Sequence, residues 1–259
     1  MDSANSQRRL AKEQIELFHH DQFVETQIQH FVELCESQLC GPKGVVLDMG
    51  GGCGFFSAAL TQRTGLRARV IDADPESVAK ARDIGVDARV GDALRPLPAG
   101  DEAVVCFNLI LHHLVAATDA MTKELQTAAL AGWSSTDAKL FVNEYIYESY
   151  ISNNASGRLI FEITSSRFLS AIGRFVSRFI PSLRANTFGV GVRFRSADEW
   201  VRMFDDAGWV VVARKRGKEE LVSIPRRLLL IRSCRRDSFV LAPRGAAGSI
   251  EERQSPCAV

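Results

Sequence analysis

Residues 45–54, VVLDMGGGCG, constrain the fold of this chain more than any other segment. The short apolar run predicts a buried strand, and the helical pattern of residues 55–63 follows the glycines directly. Gly50, Gly52 and Gly54 permit positive φ and let a ligand lie directly against the main chain. The N–H groups of the following helix add hydrogen-bond donors. The segment therefore predicts a strand, a ligand-binding turn and a helix in succession.

Short apolar runs alternate with helical patterns through the first half of the chain. Strand-like runs follow at 68–71, 88–90, 103–107 and 139–143. This alternation predicts an α/β fold built from βαβ units, with helices on both faces of a parallel sheet. After residue 143 an insert interrupts the pattern. It resumes with a helix at 196–207 and two late strands, near 209–215 and 227–232.

The overall composition excludes several classes of protein. The 32 basic and 31 acidic side chains give a net charge of +1, whereas nucleic-acid binders usually carry a clear basic excess. No apolar run approaches the roughly 20 residues that span a bilayer, and the polar N-terminus lacks the apolar core of a secretion signal. Six irregularly spaced cysteines indicate neither a zinc site nor a disulfide framework. We expect a cytoplasmic protein with no nucleic-acid, membrane or metal partner.

The glycine spacing distinguishes this loop from a dinucleotide site. The dinucleotide fingerprint is G-x-G-x-x-G, whereas the glycines here run G-x-G-x-G. Asp48, two positions before Gly50, would repel a pyrophosphate but suits a cationic or amine-bearing ligand. The segment resembles motif I of the class I S-adenosylmethionine-dependent methyltransferases.

Three later segments agree with this resemblance, which covers roughly residues 40–235. Asp72 ends the second strand, where such enzymes hold the ribose hydroxyls, and Asp74 competes with it for that role. Asp92, followed by Ala93, matches the acid that receives the adenine amino group, with a simple turn role as the alternative. Residues 107–114, FNLILHHL, look like the fourth-strand motif and place Asn108 at the cofactor site.

The resemblance implies a Rossmann-like, seven-stranded, mostly parallel sheet with an antiparallel last strand, and S-adenosylmethionine as cofactor. It divides the chain into an N-terminal helical lid at 1–40 and a cofactor-binding core at 41–144. A helical lid insert follows at 145–195, then the C-terminal part of the core at 196–241 and a disordered tail at 242–259.

Candidate catalytic residues follow the fourth and fifth strands. His112 and His113 are candidate general bases, and we favour His113; the alternative is that both are structural. Asn143, Glu144 and Tyr145 are placed at the same sheet edge, where they could contact substrate. An aromatic face there would also stabilise a sulfonium, although half-buried packing is an equal reading of the tyrosines.

The substrate is the least constrained feature. Residues 163–197 contain six arginines and no acidic residue, which suggests an anionic substrate or a carrier protein, or simply a solvated helix face. The N/D-P-P-Y/F motif of many macromolecule methyltransferases is absent. We expect methylation of a small, anionic or amino-acid-like metabolite. A cyclase or lyase that releases methylthioadenosine and a non-catalytic cofactor-binding protein stay open, as does a homodimer.

Overall fold

A computed structural model of the protein describes residues 21–35, 44–152, 154–179 and 188–245. The strands of this part are β1 Val45–Met49, β2 Arg67–Asp72, β3 Asp87–Val90, β4 Glu102–Asn108, β5 Lys139–Ser149, β6 Trp209–Lys215, β7 Glu219–Glu220 and β8 Ile231–Pro243. The helices are α1 Asp21–Cys35, α2 Phe55–Thr64, α3 Pro75–Asp83, α4 Asp119–Ala131, α5 Ala155–Ser165, α6 Arg167–Ser177, α7 Ala197–Asp206 and α8 Ile224–Arg227, with a 3-10 turn at Leu111–His113.

The described strands form one sheet in the order β3-β2-β1-β4-β5-β8-β6, with β7 paired to β8. The first five strands are mutually parallel, and β8 lies antiparallel between β5 and β6. The predicted mostly parallel sheet with an antiparallel last strand is confirmed. The two-residue strand β7 is an addition that the sequence pattern did not predict.

Helices cover both faces of the sheet. On one face, Ile28 and Phe31 of α1 and Phe56 of α2 pack against β1, β4 and β5. On the other face, α4 and α7 bury Leu130 and Trp200 against the same strands. Both faces of the central strands are therefore dry, which explains why these strands read as continuous apolar runs.

Two predicted strand boundaries are wrong. β5 was expected to end at Asn143 but continues to Ser149, because β8 pairs with it along its whole length. The last strand was expected near 227–232 but runs over Ile231–Pro243. Its charged residues Arg235 and Asp237 interrupt the apolar pattern, so the sequence does not predict the full length of this strand. Both are buried, and the Asp237 carboxylate accepts from Arg235 Nε at 3.1 Å and from Arg214 Nη2 at 2.7 Å.

The predicted lid regions fall partly within the described chain. α5 and α6 occupy the predicted insert, whereas α1 packs on the sheet and only Val24 and Gln27 reach the groove described below. Residues 1–20, 36–43 and 246–259 lie outside the described residues. No helix in the described segments is long and apolar enough to cross a membrane.

Candidate active site

The glycine loop lies at the carboxyl ends of β1 and β2, directly before α2. Gly50 has φ of 70° and donates its N–H to the carbonyl oxygen of Ile71 at 2.6 Å. A Cβ on Gly50 would lie 2.0 Å from Cδ1 of Ile110, and a Cβ on Gly51 would lie 2.4 Å from Oδ2 of Asp48. The loop therefore needs glycine both for its backbone conformation and for the close approach of its neighbours. Gly52 and Gly54 also have positive φ, 54° and 77°.

Asp48 is the penultimate residue of β1 and is almost fully buried beneath this loop. Its carboxylate accepts hydrogen bonds from Asn108 Nδ2 at 3.1 Å and from Ser57 Oγ at 3.3 Å. Burial raises the pKa of Asp48 to about 7; these hydrogen bonds oppose the shift, and the charge of Asp72 adds to it. The carboxyl group thus titrates near neutrality and would gain from a cation placed beside it.

Asp72 and Asp74 lie two residues apart but have different partners. The Asp72 carboxylate accepts from Gly52 N at 2.9 Å and from Asp74 N at 2.8 Å, which ties the end of β2 to the glycine loop. Burial raises its pKa above the usual range. Asp74 caps α3, accepting from the backbone N and the Oγ of Ser77. The cap supplies a structural role for Asp74 and supports Asp72 as the ribose ligand.

Asp92, Ala93 and Asn108 complete the predicted cofactor set. Asp92 follows β3, and its Oδ1 accepts from the backbone N of Leu94 at 2.9 Å, so the predicted turn contact is present alongside a place in the groove wall. Ala93 is buried and borders a small adjoining pocket. Asn108 ends β4, and its buried Oδ1 accepts no hydrogen bond within the described chain. That oxygen is suited to an N–H donor of a ligand.

A groove of about 1170 Å³ runs along this edge of the sheet. At one end it is lined by the glycine loop and by Asp48, Asp72, Asp74 and Asp92; at the other it is lined mainly by apolar residues, including Leu109, Leu114, Val115, Leu125 and Val190. Among the described residues that line it there is no lysine or arginine. Leu109, in the left-handed region with φ of 56°, donates its N–H to the carbonyl of Asn143 and so turns the chain after β4. The groove is acidic at one end and apolar at the other.

The two histidines occupy different places in the 3-10 turn after β4. His113 lines the groove, whereas His112 is buried behind it with its Nδ1 2.7 Å from Oε2 of Glu144. Their ring centroids lie 4.1 Å apart, and the His112 ring also stacks on Phe194. Burial, followed by the charge of His112, holds the pKa of His113 well below its usual range. His113 is therefore a neutral imidazole at the groove wall.

The three candidates from β5 lie outside the set that lines the groove. Glu144 is fully buried, and besides its contact with His112 it accepts from the backbone N of Leu111 at 2.7 Å. Asn143 points to the opposite face of the sheet, because side chains alternate along a strand, and donates to Ser238 Oγ at 2.7 Å. Tyr145 packs edge-on against the His112 ring, and burial raises its pKa to about 12. Glu144 and Tyr145 thus surround His112.

Two of the six arginines in the predicted anion-attracting stretch are committed to the interior. Arg193 is fully buried, with Nε 2.7 Å from Oδ1 of Asp119 and Nη2 3.0 Å from Oε1 of Glu199. Arg195 donates from Nε to Oε1 of Gln126 at 2.7 Å, and Gln126 in turn donates to the carbonyl of Leu111. Sequence reasoning missed this network. It joins the turn that carries the histidines to α4 and α7.

Of the other four arginines in that stretch, the structure describes the side chains of two. Arg167 and Arg178 are exposed at the two ends of α6. Residue 184 lies outside the described residues, and so does the side chain of residue 174.

Comparison with known proteins shows which proteins this chain is similar to. Residues 46–130 match the sequence model of a family described as a methyltransferase domain. The chain is 43% identical over 68 residues to trans-aconitate 2-methyltransferase of Mycolicibacterium gilvum, covering 26% of this chain and 27% of that protein. Its fold is similar to that of MccD protein, with a TM-score of 0.55 at 15% identity over 85% of this chain and 96% of the other. It is also similar to Burkholderia thailandensis 1,6-didemethyltoxoflavin-N1-methyltransferase, with a TM-score of 0.53 at 14% identity over 89% and 82%.

The chain therefore has a fold similar to that of these proteins, and residues 46–130 are similar to a methyltransferase domain. The matched segments span only about a quarter to a third of the curated relatives. The predicted fold is confirmed, and the match to the methyltransferase family model is limited to residues 46–130.

Proposed function

We propose that the protein transfers a methyl group from S-adenosylmethionine to a small acceptor bound in the apolar half of the groove. The observation that carries this proposal is the continuity of one groove from the glycine loop and its carboxylates to the neutral imidazole of His113. A cofactor at the acidic end and an acceptor at the apolar end would meet beside Asn108 and His113. The family match over residues 46–130 supports the same reading.

The residues present fit this cofactor. Each oxygen of the Asp72 carboxylate accepts one backbone N–H, and a carboxylate oxygen has a second lone pair for a ribose hydroxyl. The unpaired Oδ1 of Asn108 and the carboxylate of Asp48 suit the ammonium group of the methionine part. Asp92 stands beyond β3 to receive the adenine amino group. When bound, S-adenosylmethionine supplies an electrophilic methyl group.

The chain's own residues would position the acceptor and remove its proton. His113 is neutral, so it can accept the proton that a hydroxyl or amine nucleophile loses as the new bond to the methyl carbon forms. Glu144 fixes the ring of His112, and His112 packs against His113. We assign His112, Glu144 and Tyr145 a positioning role through these contacts, and Asn143 none at the groove. The apolar wall excludes water from the reacting methyl.

The charges along the groove bear on the class of acceptor. Four carboxylates and no described lysine or arginine line it, and Arg193 and Arg195 of the insert are paired with Asp119, Glu199 and Gln126. An acceptor with several carboxylates would meet repulsion without a compensating cation. We therefore favour a neutral or amine-bearing acceptor with an apolar part over the anionic metabolite suggested by composition. The similarity to trans-aconitate 2-methyltransferases covers too little of either chain to decide otherwise.

The test is mass spectrometry of the full-length protein incubated with S-adenosylmethionine, first alone and then with a panel of small acceptors that includes trans-aconitate. We expect S-adenosylhomocysteine only in the presence of a neutral or amine-bearing acceptor, together with a product heavier by one methylene unit. The Asp72→Asn variant is the matched negative control.

Three results would contradict the proposal. Methylthioadenosine formed without any acceptor would establish a lyase or cyclase. Cofactor binding without any product would favour a non-catalytic binding protein. Rapid methylation of trans-aconitate would refute the argument from groove charge while leaving the methyltransferase assignment intact.

A further inference from the structure

Helix α6 carries an apolar stripe that is exposed within the described part of the chain. Six large apolar side chains on or just after it are each exposed by about a third or more: Phe168 at 73%, Leu169 at 39%, Ile172 at 47%, Phe175 at 61%, Val176 at 36% and Phe179 at 72%. Their spacing puts them on one side of the helix. Exposed apolar residues scattered singly are ordinary, whereas a contiguous stripe of this kind marks an interaction surface.

The opposite side of α6 holds the helix to the protein. Ser170 is fully buried, and its Oγ donates to the carbonyls of Ile163 and Thr164 at the end of α5. Gly173 lies against Phe188, since a Cβ there would be 2.4 Å from Cε1 of that ring. The helix is thus anchored through small residues, and its bulky apolar residues face away from the core. This is the reverse of an ordinary surface helix.

The charges around the stripe indicate its partner. Arg167 and Arg178 are exposed at the two ends of the helix, and positions 167, 174 and 178 recur at seven- and four-residue steps, so they share one side. No acidic residue occurs between positions 163 and 197. An apolar stripe with exposed arginines at both ends of its helix complements a surface that is apolar inside and negatively charged outside. A bilayer with anionic headgroups has this arrangement.

We propose that α6 is an interfacial helix that binds the protein to anionic lipid bilayers. The helix has 11 residues, too few to span a bilayer, so it would lie in the plane of the interface. The expected absence of a membrane partner rests on the lack of a segment that could span a bilayer, and it does not bear on binding at the bilayer surface. α6 begins two residues after Ser165, which lines the groove. The stripe therefore lies beside the part of the groove that Ser165 lines. Membrane binding through α6 does not depend on methyl transfer.

The test is co-sedimentation of the full-length protein with vesicles of phosphatidylcholine that contain about 30% phosphatidylglycerol, compared with phosphatidylcholine alone. We expect preferential binding to the anionic vesicles, weakened by added salt. Phe175→Glu should lower the partition coefficient by about tenfold or more, because a phenylalanine side chain leaves the apolar phase and a charge replaces it. Arg178→Glu should lower binding to anionic vesicles only.

Leu97→Glu is the matched control, since Leu97 is 86% exposed in the loop that leads to β4, away from α6. It should bind vesicles like the unaltered protein. Absence of vesicle binding, or equal binding by Phe175→Glu, would overturn the inference. A dimer that Phe175→Glu dissociates, seen by sedimentation velocity without vesicle binding, would instead assign the stripe to a second copy of the chain. A dimer is not required for vesicle binding, so the two outcomes are distinguishable.

Discussion

The buried carboxyl group of Asp48 makes the stability of the protein depend on pH in a predictable direction. Its pKa rises from 3.8 in the unfolded chain to about 7 in the folded protein, chiefly because of burial. Over that interval the unfolded state has released a proton that the folded state retains. The stability that Asp48 contributes is therefore fully present below the unfolded pKa and is lost as the pH rises through the folded value.

Asp48→Asn removes this dependence while keeping the shape of the side chain. An asparagine at this position can still accept from Asn108 Nδ2 and lie beside Ser57 Oγ. For this rise in the pKa of Asp48, linkage gives a loss of about 2–3 kcal/mol between about pH 5 and about pH 8 in the unaltered protein. We expect the variant to lack this component, to be the more stable protein at the higher pH, and to bind S-adenosylmethionine more weakly.

Urea unfolding at the two pH values measures the difference directly, because the unfolding free energy of each protein is extrapolated under matched conditions. Asp92→Asn is the control. It removes another carboxylate of the groove, one that is only half-buried, and so controls for the loss of a charge there. Parallel stability curves for the unaltered protein and Asp48→Asn would refute the assignment of this pH dependence to Asp48.

Other predictions concern binding and turnover. Asp72→Asn should weaken S-adenosylmethionine binding by about 1–3 kcal/mol in calorimetry, whereas Asp74→Ala should mainly lower stability, by about 0.5–2 kcal/mol, because it removes a helix cap. His113→Ala should lower kcat by roughly 10²–10⁴-fold. Because the pKa of His113 is lowered, protonation of this residue should not reduce the kcat/KM of the unaltered protein between about pH 8 and about pH 6.5. Glu144→Gln should lower kcat by about tenfold with little change in cofactor affinity; equal loss of both would indicate a merely structural role. Cofactor binding should release a proton from Asp48 near pH 7, so the calorimetric enthalpy should vary with buffer ionisation enthalpy, and an invariant enthalpy would contradict this.

The cofactor end of the site could be predicted because its chemistry is local in sequence. The glycine loop follows β1 without a break, and Asp72 reaches it from the end of the neighbouring strand. Parallel strands bring their carboxyl ends to one edge, so strand order and motif order together define the groove. These features follow from the order of strands and motifs, without reference to long-range side-chain contacts.

The acceptor end depends on contacts that no local pattern reveals. His112 meets Glu144 across 32 positions, and Arg193 meets Asp119 across 74. The continuation of β5 beyond Asn143 depends on pairing with β8, which comes nearly a hundred residues later. That pairing buries Glu144 and turns Asn143 to the opposite face, so residues predicted together at the sheet edge were separated by strand alternation.

The carboxylates of the groove affect cofactor binding and the rate of the proposed reaction differently. The charge of Asp72 raises the cost of ionising Asp48, and the charge of Asp74 raises that of ionising Asp72. In the proposed reaction a cationic ligand relieves that cost, so the acidic end favours a sulfonium over its neutral product. Because methyl transfer removes this charge, the same carboxylates stabilise the reactant at least as strongly as the transition state, and they add affinity rather than rate. Acceleration must then come from positioning of the acceptor, exclusion of water by the apolar wall and proton removal by His113. Substitutions at the carboxylates should therefore act mainly on cofactor affinity, and those around His113 mainly on turnover.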